Sequence, residues 1–208
     1  MHVFDINYHE LLLSSEGANN SETVAVFQWE IENAWKDRYI ATTPWEANVV
    51  FLDIDGFRYP FDNCMEVQDI GEVGAADRVQ DRVIGASGFS RAHNRPRPSS
   101  TLMNDYVGRT ETVYDAQTDK GHFMSHASGG TYHVNLFPQS RDVNRGWSAE
   151  GKLYRAMESY AADNPGIFVF SRPVYGDRTD RPHIIEYGIL RPDMTLWIEA
   201  FTNHRHTR

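Results

Sequence analysis

No repeating strand–helix unit runs through this chain, and that removes the parallel-sheet folds before any side-chain chemistry is weighed. Asn48 to Asp55 is a β-rich run stopped by Gly56, and Phe57 to Phe61 continues it as a second strand across a turn. Residues 78–90 hold another strand around Val83-Ile84, and Glu111 to Tyr114 reads as one more. Ile167 to Phe170, His183 to Leu190 and Met194 to Phe201 close the chain as strands, with Arg191-Pro192-Asp193 turning between the last two. Two helical patterns interrupt them. Val24, Phe27, Ile31 and Trp35 recur at spacings of three and four, which predicts an amphipathic helix over residues 21–38. A longer pattern runs from near Asn144 to Ala162 and meets a stop at Asn164-Pro165-Gly166. Asn94 to Ser100 contains two prolines and reads as a loop, as does the region Asp119 to Gln139. The expected fold is α+β around a central, mainly antiparallel sheet. Residues 81–208 are expected to form its core, with the acidic region 1–80 packed onto the same domain.

Bulk properties narrow the class further. The apolar share of 40% and aromatic share of 12% are those of a packed domain, and no run of apolar residues is long enough to span a bilayer. Leu11-Leu12-Leu13 is too short a core for a secretion signal and no basic leader precedes it, so the expectation is a cytoplasmic protein as made, with no membrane partner; export would use a specialised route. Cys64 stands alone, which excludes an intramolecular disulfide and a cysteine-based zinc site. The net charge of −9 argues at first against nucleic acid. It is unevenly spread, however. Residues 1–80 carry 15 acidic and 4 basic side chains, whereas residues 81–208 carry 14 and 16, so the excess of acid lies in the first third. A solvated acidic surface explains that; so does a region that keeps the protein off nucleic acid until a partner moves it.

The chemistry concentrates in Asp119-Lys120-Gly121-His122, Gly129-Gly130, Asn135 to Gln139 and Asp142 to Trp147. Gly121 permits close backbone approach beside a histidine, the side chain that titrates nearest neutrality. Asn135, Gln139 and Asn144 are neutral oxygen donors of the kind that suit a hard cation. Lys120, Arg141 and Arg145 add positive charge nearby. A histidine base, an oxygen-liganded metal and cationic clamps together fit phosphodiester hydrolysis.

That block resembles the DNA/RNA non-specific endonucleases of the ββα-metal superfamily. It matches their pattern at Asp119, Gly121, His122, Gly129, Gly130, Asn135, Pro138, Gln139, Asn144, Gly146 and Trp147, over residues 109 to about 160. The resemblance implies a sugar-nonspecific endonuclease that leaves 5′-phosphates on DNA and RNA. His122 would be the general base and Asn144 the direct ligand of one Mg²⁺, for which Mn²⁺ could substitute. Asn135 would orient His122, and Glu158 would hold a metal-bound water, at a spacing of fourteen from Asn144 that is longer than is common in the family. Lys120 stands where arginine is usual, keeping the charge but losing the bidentate fork. An upstream arginine against the phosphate would be Arg95 or Arg97, with Arg141 and Arg145 as further phosphate contacts.

Other readings compete at each position. Asn144 could cap a helix. Trp147, Tyr154, Met157 and Tyr160 read most simply as helix core. Phe51 to Gly56 resembles the D-x-D-G strand end of haloacid-dehalogenase-type phosphatases, but the downstream acidic pair and the βα alternation are missing. His122, His126 and His133 could form a zinc site, although the glycines around them oppose the helix that an i, i+4 pair needs. The main alternative function is a catalytically degenerate, nuclease-like scaffold that binds nucleic acid or a protein partner. Scavenging, defence and a delivered toxin effector with an inhibitor or immunity protein are all compatible with the sequence, and it does not fix the oligomeric state.

Overall fold

The computed structural model describes residues 4–64, 81–92 and 117–203. Glu111 to Tyr114, Asn94 to Ser100, Arg95 and Arg97 lie outside them. Helix α1 (Tyr8–Ser14) and helix α2 (Asn20–Thr42) come first. Each has an asparagine N-cap: Asn7 accepts from the Glu10 amide, and Asn19 from the Glu22 amide. Strands β1 (Val49–Ile54) and β2 (Phe57–Asp62) form a hairpin, with Asp55 and Gly56 both at positive φ in the two-residue turn. After β3 (Arg82–Val83) and β4 (Ala86–Phe89) come β5 (Thr118–His122) and β6 (Leu136–Ser140), then helices α3 (Arg141–Asn144) and α4 (Ala149–Asp163). Strands β7 (Phe168–Val174), β8 (Ile184–Leu190) and β9 (Leu196–Thr202) end the described chain.

The main sheet runs β1-β2-β4-β7-β8-β9 with β3 paired to β2, and every pairing in it is antiparallel. It is packed on both faces, which alternation along the central strands explains. Phe168 and Phe170 point to one side, where they meet Tyr8, Phe27, Ile31 and Trp35 of the two N-terminal helices. Val169, Ile185, Tyr187 and Ile189 point to the other, against Phe123, Phe137, Val143, Tyr154 and Met157. Phe57 and Tyr59 join that second cluster, so the acidic first third supplies side chains to the core beneath the hairpin β5–β6.

The α+β reading with a large antiparallel sheet agrees with the structure, and three local expectations are corrected. Residues 119–139 are not simply a loop region, because β5 and β6 form a separate two-stranded sheet within and beside them. The polar run Thr118 to His122 and the proline in Leu136 to Ser140 hide the strand pattern. The helix expected from Asn144 is two helices: Gly146 adopts positive φ between them, and Ser148 caps the second by accepting from the Gly151 amide. Trp147 is consequently not core. It lies in that break, 60% exposed, with the Arg145 guanidinium 5.1 Å from its ring.

The hairpin β5–β6 is fastened to the main sheet by polar groups beyond β9. The Asn203 side chain accepts from the Ser140 amide and donates to the carbonyls of Pro138 and Pro182. Arg181 donates to the Thr118 hydroxyl and to the Asn203 carbonyl.

Gly188 shows how tightly the central strands pack. It pairs with Phe170, and a Cβ built on it would lie 2.1 Å from Phe170 Cζ. Phe170 is fully buried, stacked on Tyr8 at 5.2 Å and tilted against Trp35 at 5.9 Å, so the ring has nowhere to move. Alanine's better strand propensity is worth less than ~1 kcal/mol, and overpacking costs about 1–3 kcal/mol. Gly188→Ala should therefore lower the denaturant midpoint; an unchanged or raised midpoint would show that the ring can yield.

Candidate active-site cleft

His122 ends β5 and is 8% exposed. Its position is set through the main chain: the Tyr154 hydroxyl, from the buried face of α4, donates to the His122 carbonyl at 3.2 Å. Gly121 lets Gln139 of the neighbouring strand lie across it, since a Cβ there would sit 2.6 Å from Gln139 Cβ. The segment after His122 is pinned by Asn135. Its Oδ1 accepts from the Met124 amide, and its Nδ2 donates to the carbonyls of Met124 and Thr131. Both glycines of the pair are needed here. Gly129 takes positive φ, and a Cβ on Gly130 would overlap the Met124 carbonyl at 1.9 Å. Asn135 thus shapes the backbone two residues beyond His122.

Asn144 is the last residue of α3, which packs on both hairpin strands and on α4. Its Nδ2 donates to Asp119 at 3.3 Å. An ionised carboxylate only accepts, so Asp119 fixes which way the amide faces and leaves Asn144 Oδ1 as the acceptor for other company. Asp119 also receives Arg141 Nε at 3.1 Å, Arg145 Nε at 2.6 Å and Arg145 Nη2 at 3.0 Å. Partial burial would raise the Asp119 carboxyl. The hydrogen bonds from Arg145, Asn144 and Arg141 outweigh it and hold the group below its ordinary value.

Helix α4 contributes the opposite wall. Arg155, Glu158, Ser159 and Ala162 fall at helical spacing on one face, while Tyr154, Met157 and Ala161 are buried on the other. The Glu158 carboxylate is 13% exposed and takes a hydrogen bond from Arg155 Nη1 at 3.3 Å. Burial, and then the Glu158 charge, raise the Tyr154 and Tyr187 phenols.

These elements enclose a cleft of about 360 Å³ lined by His122, Ser125, His126, Asn144, Arg155 and Glu158, among others. Three residues singled out in the sequence therefore share one cleft: His122, Asn144 and Glu158. The fourteen-residue spacing between the last two is bridged by the break between α3 and α4. Lys120, Asn135 and Gln139 do not line the cleft, and Arg141 and Arg145 meet Asp119 beside it. Lys120 shares His122's side of β5 by alternation. Arg155 and Ser125 were not anticipated as site residues, and His126 only in the zinc alternative. The i, i+3 spacing of Arg155 and Glu158 is the signal that could have found the first of them.

Among the described residues, no group of three or more His, Cys, Asp or Glu side chains is arranged to hold a metal, which leaves the three-histidine zinc reading without a site. The oxygen donors facing the cleft, an amide and a carboxylate, do fit a hard divalent cation that keeps most of its water. The D-x-D-G run belongs to an antiparallel hairpin, and its Asp55 accepts from the Thr131 hydroxyl at 2.6 Å, so the phosphatase arrangement is absent there. No described helix is long and apolar enough to cross a membrane.

No family model matches this chain, and no curated protein matches it. A solved chain described as "Structure of Sda1 nuclease with bound zinc ion" is similar to it at 13% identity, covering 81% of each chain with a TM-score of 0.38.

Proposed function

We propose that this chain is a metal-dependent nuclease that hydrolyses phosphodiester bonds of DNA and RNA with little sequence preference. The observation that carries the reading is the convergence of His122, Asn144 and Glu158, from a strand end, a short helix and a long helix, on one cleft. The order of strand, strand and helix around it supports a ββα-metal arrangement.

In this reading His122 would take the proton from the attacking water, and Asp119, by holding the Asn144 amide nitrogen, would leave the amide oxygen to ligate a divalent cation. Glu158 would help hold that cation through its water. When bound, Mg²⁺ or Mn²⁺ supplies positive charge against the scissile phosphate and the leaving oxygen. Arg155 is the cleft-lining guanidinium available to a phosphate oxygen. Arg141 keeps both terminal nitrogens, and Arg145 one, beyond those that Asp119 takes, so their part in phosphate binding is secondary to holding Asp119.

The test uses plasmid DNA and ribosomal RNA with Mg²⁺, with Mn²⁺ and with EDTA. Both substrates should be cut with either metal and neither in chelator, and the rate should fall as salt rises because the grip is on the backbone. Cleavage of one sugar type alone, or at one short sequence, would reject the nonspecific reading. Binding without cleavage under every metal condition would favour the degenerate scaffold, a reading that Lys120 in place of arginine and the acidic first third keep open.

A further inference from the structure

A second cleft of about 360 Å³ lies where α2 ends, β3 passes and β7 runs into residues 175–178. None of its lining residues belongs to the hairpin β5–β6, to α3 or to α4. Four arginines line it, Arg38, Arg82, Arg172 and Arg178, against two aspartates, Asp5 and Asp177. Glu186, outside the lining, pairs with Arg172 as Asp5 does, so the surplus at this concavity is one positive charge, in a chain of net −9. The negative end of the α2 dipole borders the same space, and the arginines outnumber it.

Arg82 is the telling residue. It is 2% exposed, with its guanidinium 4.9 Å from the Trp45 ring and 4.6 Å from the Tyr175 ring. Nη2 donates to the Asp177 carbonyl at 2.7 Å, whereas the buried Nε makes no hydrogen bond. Among the described residues no carboxylate forms an ion pair with it, whereas Arg38 pairs with Asp5 and Arg172 with both Asp5 and Glu186. A desolvated, incompletely paired guanidinium is costly unless an anion completes it. The cleft is also larger than a bare anion needs, falls within the ~300–1,000 Å³ range of small-ligand sites, and has aromatic walls in Tyr39, Trp45 and Tyr175.

We propose that this cleft binds a mononucleotide-sized phosphate ester, its phosphate held by the arginines and its base against the aromatic wall. Planar guanidinium groups match phosphate oxygens in pairs, and a flat base adds stacking that inorganic phosphate lacks. The site stands whether or not the chain cuts nucleic acid.

The experiment titrates the full chain in chelator with AMP, with adenosine and with inorganic phosphate, by calorimetry and by tryptophan fluorescence. AMP should bind at least about tenfold more tightly than either of its parts. Arg38→Gln and Arg178→Gln, on accessible arms of the cleft, should each weaken AMP while far-UV circular dichroism stays unchanged. Arg82→Lys keeps the charge and loses the fork, and should weaken it at least about tenfold. His122→Ala should bind AMP as the parent does. The proposal is overturned by no AMP binding up to about 10 mM, by adenosine or inorganic phosphate binding as well as AMP, or by an affinity that follows His122 instead of the arginines.

Discussion

Replacing His122 by alanine should lower the rate of plasmid and RNA cleavage by roughly 10²–10⁴-fold, the usual worth of a positioned general base. The fold of the site should survive, because the contact that sets this strand end runs from Tyr154 to the main-chain carbonyl of residue 122 and not to the imidazole. Metal and substrate affinities should therefore change little, and single-turnover rates with saturating metal separate the two effects. Activity should also fall in acid, since an imidazolium cannot accept a proton. The Asp119 carboxyl is not the source of that fall. Its folded value is depressed, so its hold on Asn144 is complete above the ordinary carboxylate value and is lost only as pH drops through the lower, folded one. Wild-type cleavage by His122→Ala would reject the general-base role, and loss of metal affinity in that variant alone would make the imidazole a metal ligand instead.

Asn144→Ala should produce the second large effect, with a different signature. The variant should need more Mg²⁺ to reach half its maximal rate, and that maximal rate should also be lower. Asp119→Ala is the informative companion. Asp119 reaches the cleft through the Asn144 amide, so it should act as an orienting group, with a loss of about 10–100-fold in metal affinity or rate. If Asn144→Ala keeps the parent's metal requirement while Asp119→Ala does not, the carboxylate is the ligand and the amide only its prop.

The parts of this molecule that sequence made legible are those where one physical signal dominates. Phe27, Ile31 and Trp35 announce a buried helix face, Gly56 a hairpin turn, and Asn164-Pro165-Gly166 a helix end; all appear in the structure. Helix α1 escaped notice although Asn7 followed by Glu10 is a capping pattern, because the leucines after it invite a comparison with secretion signals. The strands β5 and β6 escaped because their sequence is set by the site and by a neighbouring sheet, not by alternation of apolar residues. The candidate site was partly legible. His122 and Asn144 were marked by residue type and Glu158 by the resemblance alone, and the structure places all three in one cleft. Charge alone could not show that Arg141 and Arg145 also hold the Asp119 carboxylate.

The polar fastening between the hairpin and the last strand has a consequence for any genetic dissection of this protein. One amide side chain, Asn203, satisfies three main-chain groups across two sheets. The register of β6 depends on it, and through the β5–β6 pairing so does the height at which residue 122 stands. A selection for loss of activity would therefore return residue 203 together with residues 122 and 144. Its side chain lies outside the cleft and, in the proposed reaction, would meet neither water, metal nor phosphate, yet in such a map it would be indistinguishable from the residues proposed to do so.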